Sequence, residues 1–259
     1  MTSIPGFWDT GPHEPLPVEP VWNEFVGLNG GQRVNDLLSV SPSFENADYL
    51  FGEAGVVAEL KEVQTEFGGS SGFRKGFDGL MKRLASEDPN WRPFLLGGSG
   101  EYPKWFYPEY VRLYRPHVSR VLKKANRQLR ETKDHFGIAR PTGVLLLVND
   151  GFTELSPNLI RALACNLLTT SYSSIDCLVY LTVNRYVEIQ GSDVPRLVWA
   201  PSYSDRCGDT LSQFIDDLGR KWFKFLEAKI GPFTIKDWET KNGDILEGSK
   251  AIVLPKHHG

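Results

Sequence analysis

Cysteine and histidine are scarce in this 259-residue chain. Its three cysteines, an odd number with no CxxC pair, argue against a disulfide framework and against a thiolate zinc site. We expect them to be buried thiols in a reducing compartment. The five histidines include no HExxH pair, so a histidine-ligated metal site has little support.

Long apolar segments are also missing. The longest run of aliphatic side chains covers residues 144–148, far short of the roughly 20 residues that span a bilayer. The first residues have neither the basic nor the apolar region of a signal peptide. We therefore expect a cytoplasmic protein that does not associate with membranes. The net charge of −3 neither demands nor excludes a nucleic-acid partner.

Two common nucleotide-binding fingerprints are absent. The sequence contains no GxxxxGKS/T phosphate loop and no GxGxxG dinucleotide motif. The chemistry of the protein therefore has to be sought in other residues.

The pattern of apolar residues predicts an α/β fold. Residues 143–149 and 177–184 are typical of buried strands, and residues 156–170 predict the helix between them. Such a strand–helix–strand unit implies a parallel crossover. Further helices are predicted over 77–85, 116–136 and 209–229, and further strands over 186–190 and 196–200. Together these elements predict a mixed β-sheet flanked by helices.

The chain is predicted to form one α/β domain with an arm and an insertion. Five prolines within residues 1–20 predict an extended arm. Residues 21–259 are then the domain, in which 21–40 predict one or two helices. Residues 64–114 are predicted to be an insertion, and its aromatic cluster is more typical of packing than of base stacking.

A charged hairpin carries the strongest chemical signal. Residues 47–51 and 56–63 predict two strands joined by a glycine-containing turn. In a strand, residues two apart lie on one face, so Glu59 and Lys61 are expected to project together. Asp48 lies on the other strand of the hairpin, which brings two carboxylates and an ammonium to one spot. Mg²⁺ prefers such oxygen ligands, and one or two carboxylates plus a substrate phosphate suffice.

Asp48 followed by Glu59-Leu60-Lys61 resembles the PD-(D/E)XK nuclease superfamily, which has a restriction-endonuclease-like fold. The resemblance covers residues 21–150 and implies a helix, a three-strand meander, a helix and a further strand. It does not explain residues 64–114, which form an insertion after the catalytic hairpin in this prediction. Ala47 stands where the family usually has proline. Family members often have an acidic residue on the first helix, for which Glu24 and Glu45 are candidates.

The resemblance also implies a function. Asp48, Glu59 and the Leu60 carbonyl would hold Mg²⁺ or Mn²⁺, and Lys61 would position the water that attacks a phosphodiester bond. DNA is the substrate that the resemblance implies, while RNA stays open, as does association with a protein partner or into a homo-oligomer.

The predicted helix over 116–136 is strongly basic. On a helical wheel, Lys124 and Gln128 lie beside its apolar stripe, where a side chain can reach a neighbouring site. We expect these two residues to contact the phosphate or the water. The other basic side chains could follow a nucleic-acid backbone or form a solvated helix face, and the sequence favours neither.

Three alternatives stay open. The charged residues of the hairpin could be an ion pair at a solvated sheet edge. The fold could belong to a non-catalytic subunit that binds nucleic acid or protein partners in a larger complex. The end of the strand at Asn149 and Asp150 could be the site of a small-molecule enzyme, although the two residues are more typical of a turn.

Overall fold

The computed structural model describes residues 13–38, 42, 44–64, 66–93, 96, 98, 100–233 and 246–252. Its helices are α1 (Val18–Leu28), α2 (Val34–Leu37), α3 (Ser71–Glu87), α4 (Phe106–Arg112), α5 (Arg115–Phe136), α6 (Pro157–Thr170) and α7 (Asp209–Ile230). Its strands are β1 (Gln32–Arg33), β2 (Tyr49–Phe51), β3 (Val56–Val63), β4 (Thr142–Asn149), β5 (Cys177–Leu181), β6 (Arg185–Ile189), β7 (Ser192–Arg196), β8 (Trp199–Tyr203) and β9 (Leu246–Ile252).

A mixed six-stranded sheet lies at the centre, in the order β1-β2-β3-β4-β5-β8. The middle strands β3, β4 and β5 are parallel, and the outer strands pair antiparallel with their neighbours. α6 connects β4 to β5, as the strand–helix–strand pattern predicts. The α/β class and the mixed sheet are thus confirmed.

Helices cover both faces of this sheet. On one face α1 and α7 pack through Trp22 and Trp222, whose rings stack with centroids 4.4 Å apart. On the other face α5 and α6 pack, with Leu122 among the buried residues. Ala58 belongs to the first core and Val57 to the second. Because strand side chains alternate, the odd-numbered residues of β3 face the α5 side.

The predicted hairpin is present, with one difference. β3 has its predicted bounds, and the turn closes where the Gly55 N–H donates to the Gly52 carbonyl at 3.2 Å. The first strand was predicted from residue 47, but β2 begins at Tyr49. Ala47 lies outside the strand because its N–H donates to the side chain of Thr132 on α5.

The predicted long helices are confirmed within a residue at each end. α5 starts with a proline in its first turn and ends at Gly137, which has φ +56°. The strand predicted over 177–184 was too long, since β5 ends at Leu181. Val198, which the register places opposite Thr182, donates its N–H to the Thr182 hydroxyl. The Val183 N–H donates to the Asp150 carboxylate.

The predicted insertion over 64–114 contains α3 and α4. The helix predicted over 77–85 is longer, because Ser70 caps α3 by accepting the Phe73 N–H at 3.2 Å. Of the aromatic cluster, Phe106 and Tyr114 are buried, whereas Tyr102 and Tyr107 are about half exposed. Packing therefore accounts for much of the cluster.

The N-terminal region differs from the prediction at its boundary. Residues 1–12 of the predicted arm lie outside the described residues, and 13–17 have no helix or strand. Leu16 exchanges two hydrogen bonds with the side chain of Asn184. α1 begins at Val18, so the arm was predicted too long. β1 is a strand that the sequence did not locate.

A second, three-stranded sheet has the order β7-β6-β9. The strand predicted over 186–190 corresponds to β6, and the one over 196–200 is replaced by β7 and β8. In the part of the chain that the structure describes, no helix has the length and apolar character needed to cross a membrane.

Candidate metal site

Asp48 and Glu59 lie opposite each other at the end of the hairpin. The register pairs Tyr49 with Ala58 and Leu50 with Val57, so the next pair is Asp48 with Glu59. Directly opposite residues of an antiparallel pair project from the same face of the sheet. Lys61 lies two residues further on β3 and projects from that face too. The structure therefore brings the three predicted residues together, on the α5 side.

The site forms where β3 continues beyond β2. An extended β2 would pair Ala47 with Leu60, but the Ala47 N–H is donated to Thr132 at 2.7 Å instead. The Leu60 N–H donates to Asp48 Oδ2 at 2.8 Å. In an antiparallel pair, the N–H and C=O of one residue point to the same neighbour. The Leu60 carbonyl thus points to the open edge beside Asp48, as expected for a metal ligand.

Glu59 is fully buried, and only one of its oxygens has a donor. Its Oε1 contacts the Lys61 ammonium, whose side chain is about 20% exposed. Its Oε2 is buried and receives no hydrogen bond from any described residue. The Glu59 side chain also interacts with that of Asp48, in a contact that raises the pKa of Glu59 and lowers the pKa of Asp48. A cation between the two carboxyl groups would replace the proton that they share.

The electrostatics of the two carboxylates reflect this burial. The pKa of Glu59 is raised from 4.5 to about 8, first by burial and then by the negative charge of Asp48, while Lys61 opposes the shift. Burial also raises the pKa of Asp48, against the Leu60 N–H and the Lys61 charge. The charge of Asp48 thus disfavours ionisation of Glu59, and a bound cation would favour the ionised form of both groups.

α5 lies over this site and contributes Gln128. This residue is 8% exposed, and its Nε2 donates to the Asn46 carbonyl at 2.9 Å, two residues before Asp48. Its Oε1 is buried and receives no hydrogen bond from the described residues. Lys124, one turn earlier, is exposed, and its positive charge lowers the pKa of Glu45 after the larger effect of Arg127. Gln128 therefore contacts the segment that leads into Asp48, whereas the Lys124 side chain is exposed to solvent.

The acidic residue on the first helix is not the one proposed from the sequence. Glu24 pairs with Lys229 on α7, at 2.6 Å, and Glu45 pairs with Arg127. Glu19, in the first turn of α1, is instead the residue whose charge reaches Asp48, as a small addition to the effect of burial on its pKa. The sequence signal for Glu19 is the position of an acid in the first turn of a helix.

Basic side chains on α5 are partly neutralised. Arg127, Arg130 and Lys133 each pair with an acid. Within the described chain, the other basic residues of α5 have no ion-pair partner: Arg115, Arg120, Lys123 and Lys124. Arg115 donates a hydrogen bond to the Asn166 side chain instead.

Two other polar groups have structural roles. Asp150 is buried and accepts hydrogen bonds from the N–H groups of Val183 and Asn184, which supports the turn interpretation. Residues 68–72 have the sequence GGSSG, which matches the GxSxG spacing of a nucleophile elbow. Ser70 Oγ lies 3.2 Å from His117 Nε2. Ser70 caps α3, and no described acid interacts with His117, so we assign this pair to helix capping.

Comparison with protein-family models, curated proteins and solved structures found no match for this chain. Its function is therefore inferred from its residues and their geometry.

Proposed function

We propose that the protein is a divalent-metal-dependent nuclease of the PD-(D/E)XK type, acting on DNA. The observation that carries the proposal is the facing pair Asp48 and Glu59 beside Lys61, with a buried Glu59 oxygen that receives no hydrogen bond from the described residues. The order of elements supports it as well. α1, the antiparallel strands β1 to β3, α5 and β4 occur in the order that the resemblance implies for a restriction-endonuclease-like core. The short helix α2 lies between β1 and β2, and α3 and α4 are inserted before α5.

The residues present fit a hard cation such as Mg²⁺ or Mn²⁺. Asp48 and Glu59 supply two carboxylates, and the Leu60 carbonyl can supply a third protein oxygen. No group of three or more His, Cys, Asp or Glu side chains that could hold a metal is found among the residues that the structure describes. Two carboxylates agree with a Mg²⁺ site, since this ion keeps several waters and binds substrate phosphate.

The side chains divide the chemistry between them. A bound cation would supply Lewis-acid stabilisation of the charge that develops on the phosphate. The Lys61 ammonium donates from Nζ and can hold the attacking water while its charge offsets that of the phosphate. Lys124 offers a contact to a neighbouring backbone phosphate. Gln128 Oε1 is an acceptor that can orient the water.

The test is a cleavage assay on single- and double-stranded DNA and RNA with Mg²⁺ or Mn²⁺. Lys61→Ala is expected to lower the rate by about 100-fold or more, the scale of a positioned proton-handling group. Lys229→Ala is the matched control. Lys229 also ends a Glu-x-Lys triplet and pairs with a glutamate, but it lies on α7, away from the site. Equal cleavage by wild type and Lys61→Ala would contradict the assignment.

Other outcomes would redirect the proposal. Cleavage of RNA alone would change the substrate class. Absence of both cleavage and Mn²⁺ binding would favour the non-catalytic subunit, in which Lys61 and Glu59 are simply an ion pair.

A further inference from the structure

One face of α5 holds the segment that leads into Asp48. The Thr132 hydroxyl accepts the Ala47 N–H at 2.7 Å. The Gln128 amide donates to the Asn46 carbonyl at 2.9 Å. These contacts hold the two residues that immediately precede the carboxylate.

The same helix face holds the residue before them. Glu131 Oε2 accepts the Glu45 N–H at 3.3 Å, and Arg127 pairs with the Glu45 carboxylate. Residues three and four apart lie on one face of a helix. Positions 127, 128, 131 and 132 therefore form one continuous surface along which the segment 45–47 lies.

Thr132 makes the most critical of these contacts. It is fully buried, so its hydroxyl has no access to water, and it binds the residue next to Asp48. Without it, the Ala47 N–H would be free to pair with the Leu60 carbonyl and extend β2 over the open edge. The Leu60 N–H would then pair with the Ala47 carbonyl, and Asp48 would lose its donor.

We propose that Thr132 is a positioning residue that ends β2 at Tyr49 and so keeps Asp48 and the Leu60 carbonyl open to a divalent cation. The positioning rests on contacts within the chain, whereas its consequence for a metal rests on the proposed function. Groups that orient metal ligands commonly change metal affinity by about 10- to 100-fold when removed.

The test uses three threonine variants. Thr132→Val keeps the shape and removes the hydroxyl, and Thr132→Ser keeps the hydroxyl. Thr182→Val is the matched control, because the Thr182 hydroxyl is also fully buried and accepts a backbone N–H, that of Val198, at 3.0 Å. Thr182 follows β5, two strands away from β3 in the sheet.

Two measurements are made on each variant. The first, without metal, is the position of the Leu60 amide cross-peak in ¹⁵N-leucine-labelled protein, with Asp48→Ala as the reference for loss of the carboxylate acceptor. The second is the Kd for Mn²⁺, from the electron paramagnetic resonance signal of the free ion. Thr132→Val is expected to move the cross-peak towards its Asp48→Ala position and to weaken Mn²⁺ binding by about tenfold. Thr132→Ser and Thr182→Val should leave both near wild type.

The outcomes separate this inference from the proposed function. An unmoved Leu60 cross-peak in Thr132→Val overturns the positioning role, whether or not Mn²⁺ binds. Equal changes in Thr182→Val overturn it too, since they would report general loosening. A moved cross-peak with an unchanged Kd overturns the link to the metal. If wild type binds no Mn²⁺, the proposed function fails, and the cross-peak alone decides the positioning of Asp48.

Discussion

Replacement of Glu59 by glutamine is expected to flatten the pH dependence of stability of the metal-free protein. Burial and the charge of Asp48 raise the pKa of Glu59 from 4.5 to about 8 in the folded chain. The folded state therefore holds this proton more tightly than the unfolded state does. The contribution of this group to the free energy of unfolding is fully present below pH 4.5 and decreases as the pH rises towards 8. An ordinary ion-paired carboxylate shows the reverse dependence.

The size of the effect follows from the shift. Each unit of pKa difference is worth about 1.4 kcal/mol, and integration from about pH 5.5 to pH 8 gives roughly 3 kcal/mol lost by wild type through Glu59. Glutamine has nearly the same shape and no proton to lose. Glu59→Gln should therefore lose about 3 kcal/mol less than wild type over this interval.

The assay is urea unfolding in the presence of EDTA at the two pH values, with the free energy of unfolding obtained by linear extrapolation. Glu53→Gln is the control, because Glu53 lies in the turn of the same hairpin but is exposed. It removes the same formal charge and should leave the pH dependence unchanged. If the free energy of unfolding of wild type and of Glu59→Gln depends on pH in the same way, the argument that Glu59 is a buried carboxyl with a raised pKa is refuted.

Two further predictions concern the basic helix and the core. Lys124→Ala should lose one phosphate contact and so reduce the slope of log K against log salt for duplex DNA by about 0.9, whereas Lys224→Ala on α7 should leave the slope unchanged. The slopes are measured by fluorescence anisotropy titrations at several KCl concentrations. Equal slopes for wild type and Lys124→Ala would show that Lys124 makes no phosphate contact. Trp222→Ala should cost about 3–5 kcal/mol in urea unfolding, because its buried ring stacks on Trp22, and a loss under about 1 kcal/mol would contradict this.

The elements that were predictable have their signals within their own residues. β3 was predicted with its observed bounds because its apolar run ends in alternating residues and follows a glycine turn. α5 was predicted because a proline marks its first turn and Gly137 its end. The common face of Glu59 and Lys61 followed from the two-residue period of a strand, and the proximity of Asp48 followed from the hairpin.

The elements that were missed are set by contacts distant in sequence. β5 ends early because two backbone N–H groups near its end bond to side chains: that of Val198 to the Thr182 hydroxyl and that of Val183 to the Asp150 carboxylate. Which acidic residue of α1 lies nearer to Asp48 depends on how α1 is rotated about its axis against the sheet. Glu19 and Glu24 are five residues apart and thus about 140° apart around the helix, so only one of them can approach Asp48. A sequence pattern does not determine that rotation.

The start of β2 shows how a missed boundary and a candidate site share one cause. The sequence of residues 47–51 has the character of a strand throughout, and a strand from residue 47 would pair Ala47 with Leu60. Thr132, 85 residues away, takes the Ala47 N–H. The Leu60 N–H then turns to the Asp48 carboxylate, and the Leu60 carbonyl loses its strand partner. An irregular edge in which both members of a pair bond to side chains has no advantage for sheet stability. It does place three oxygens where a cation could bind, and the proposed metal site would account for it.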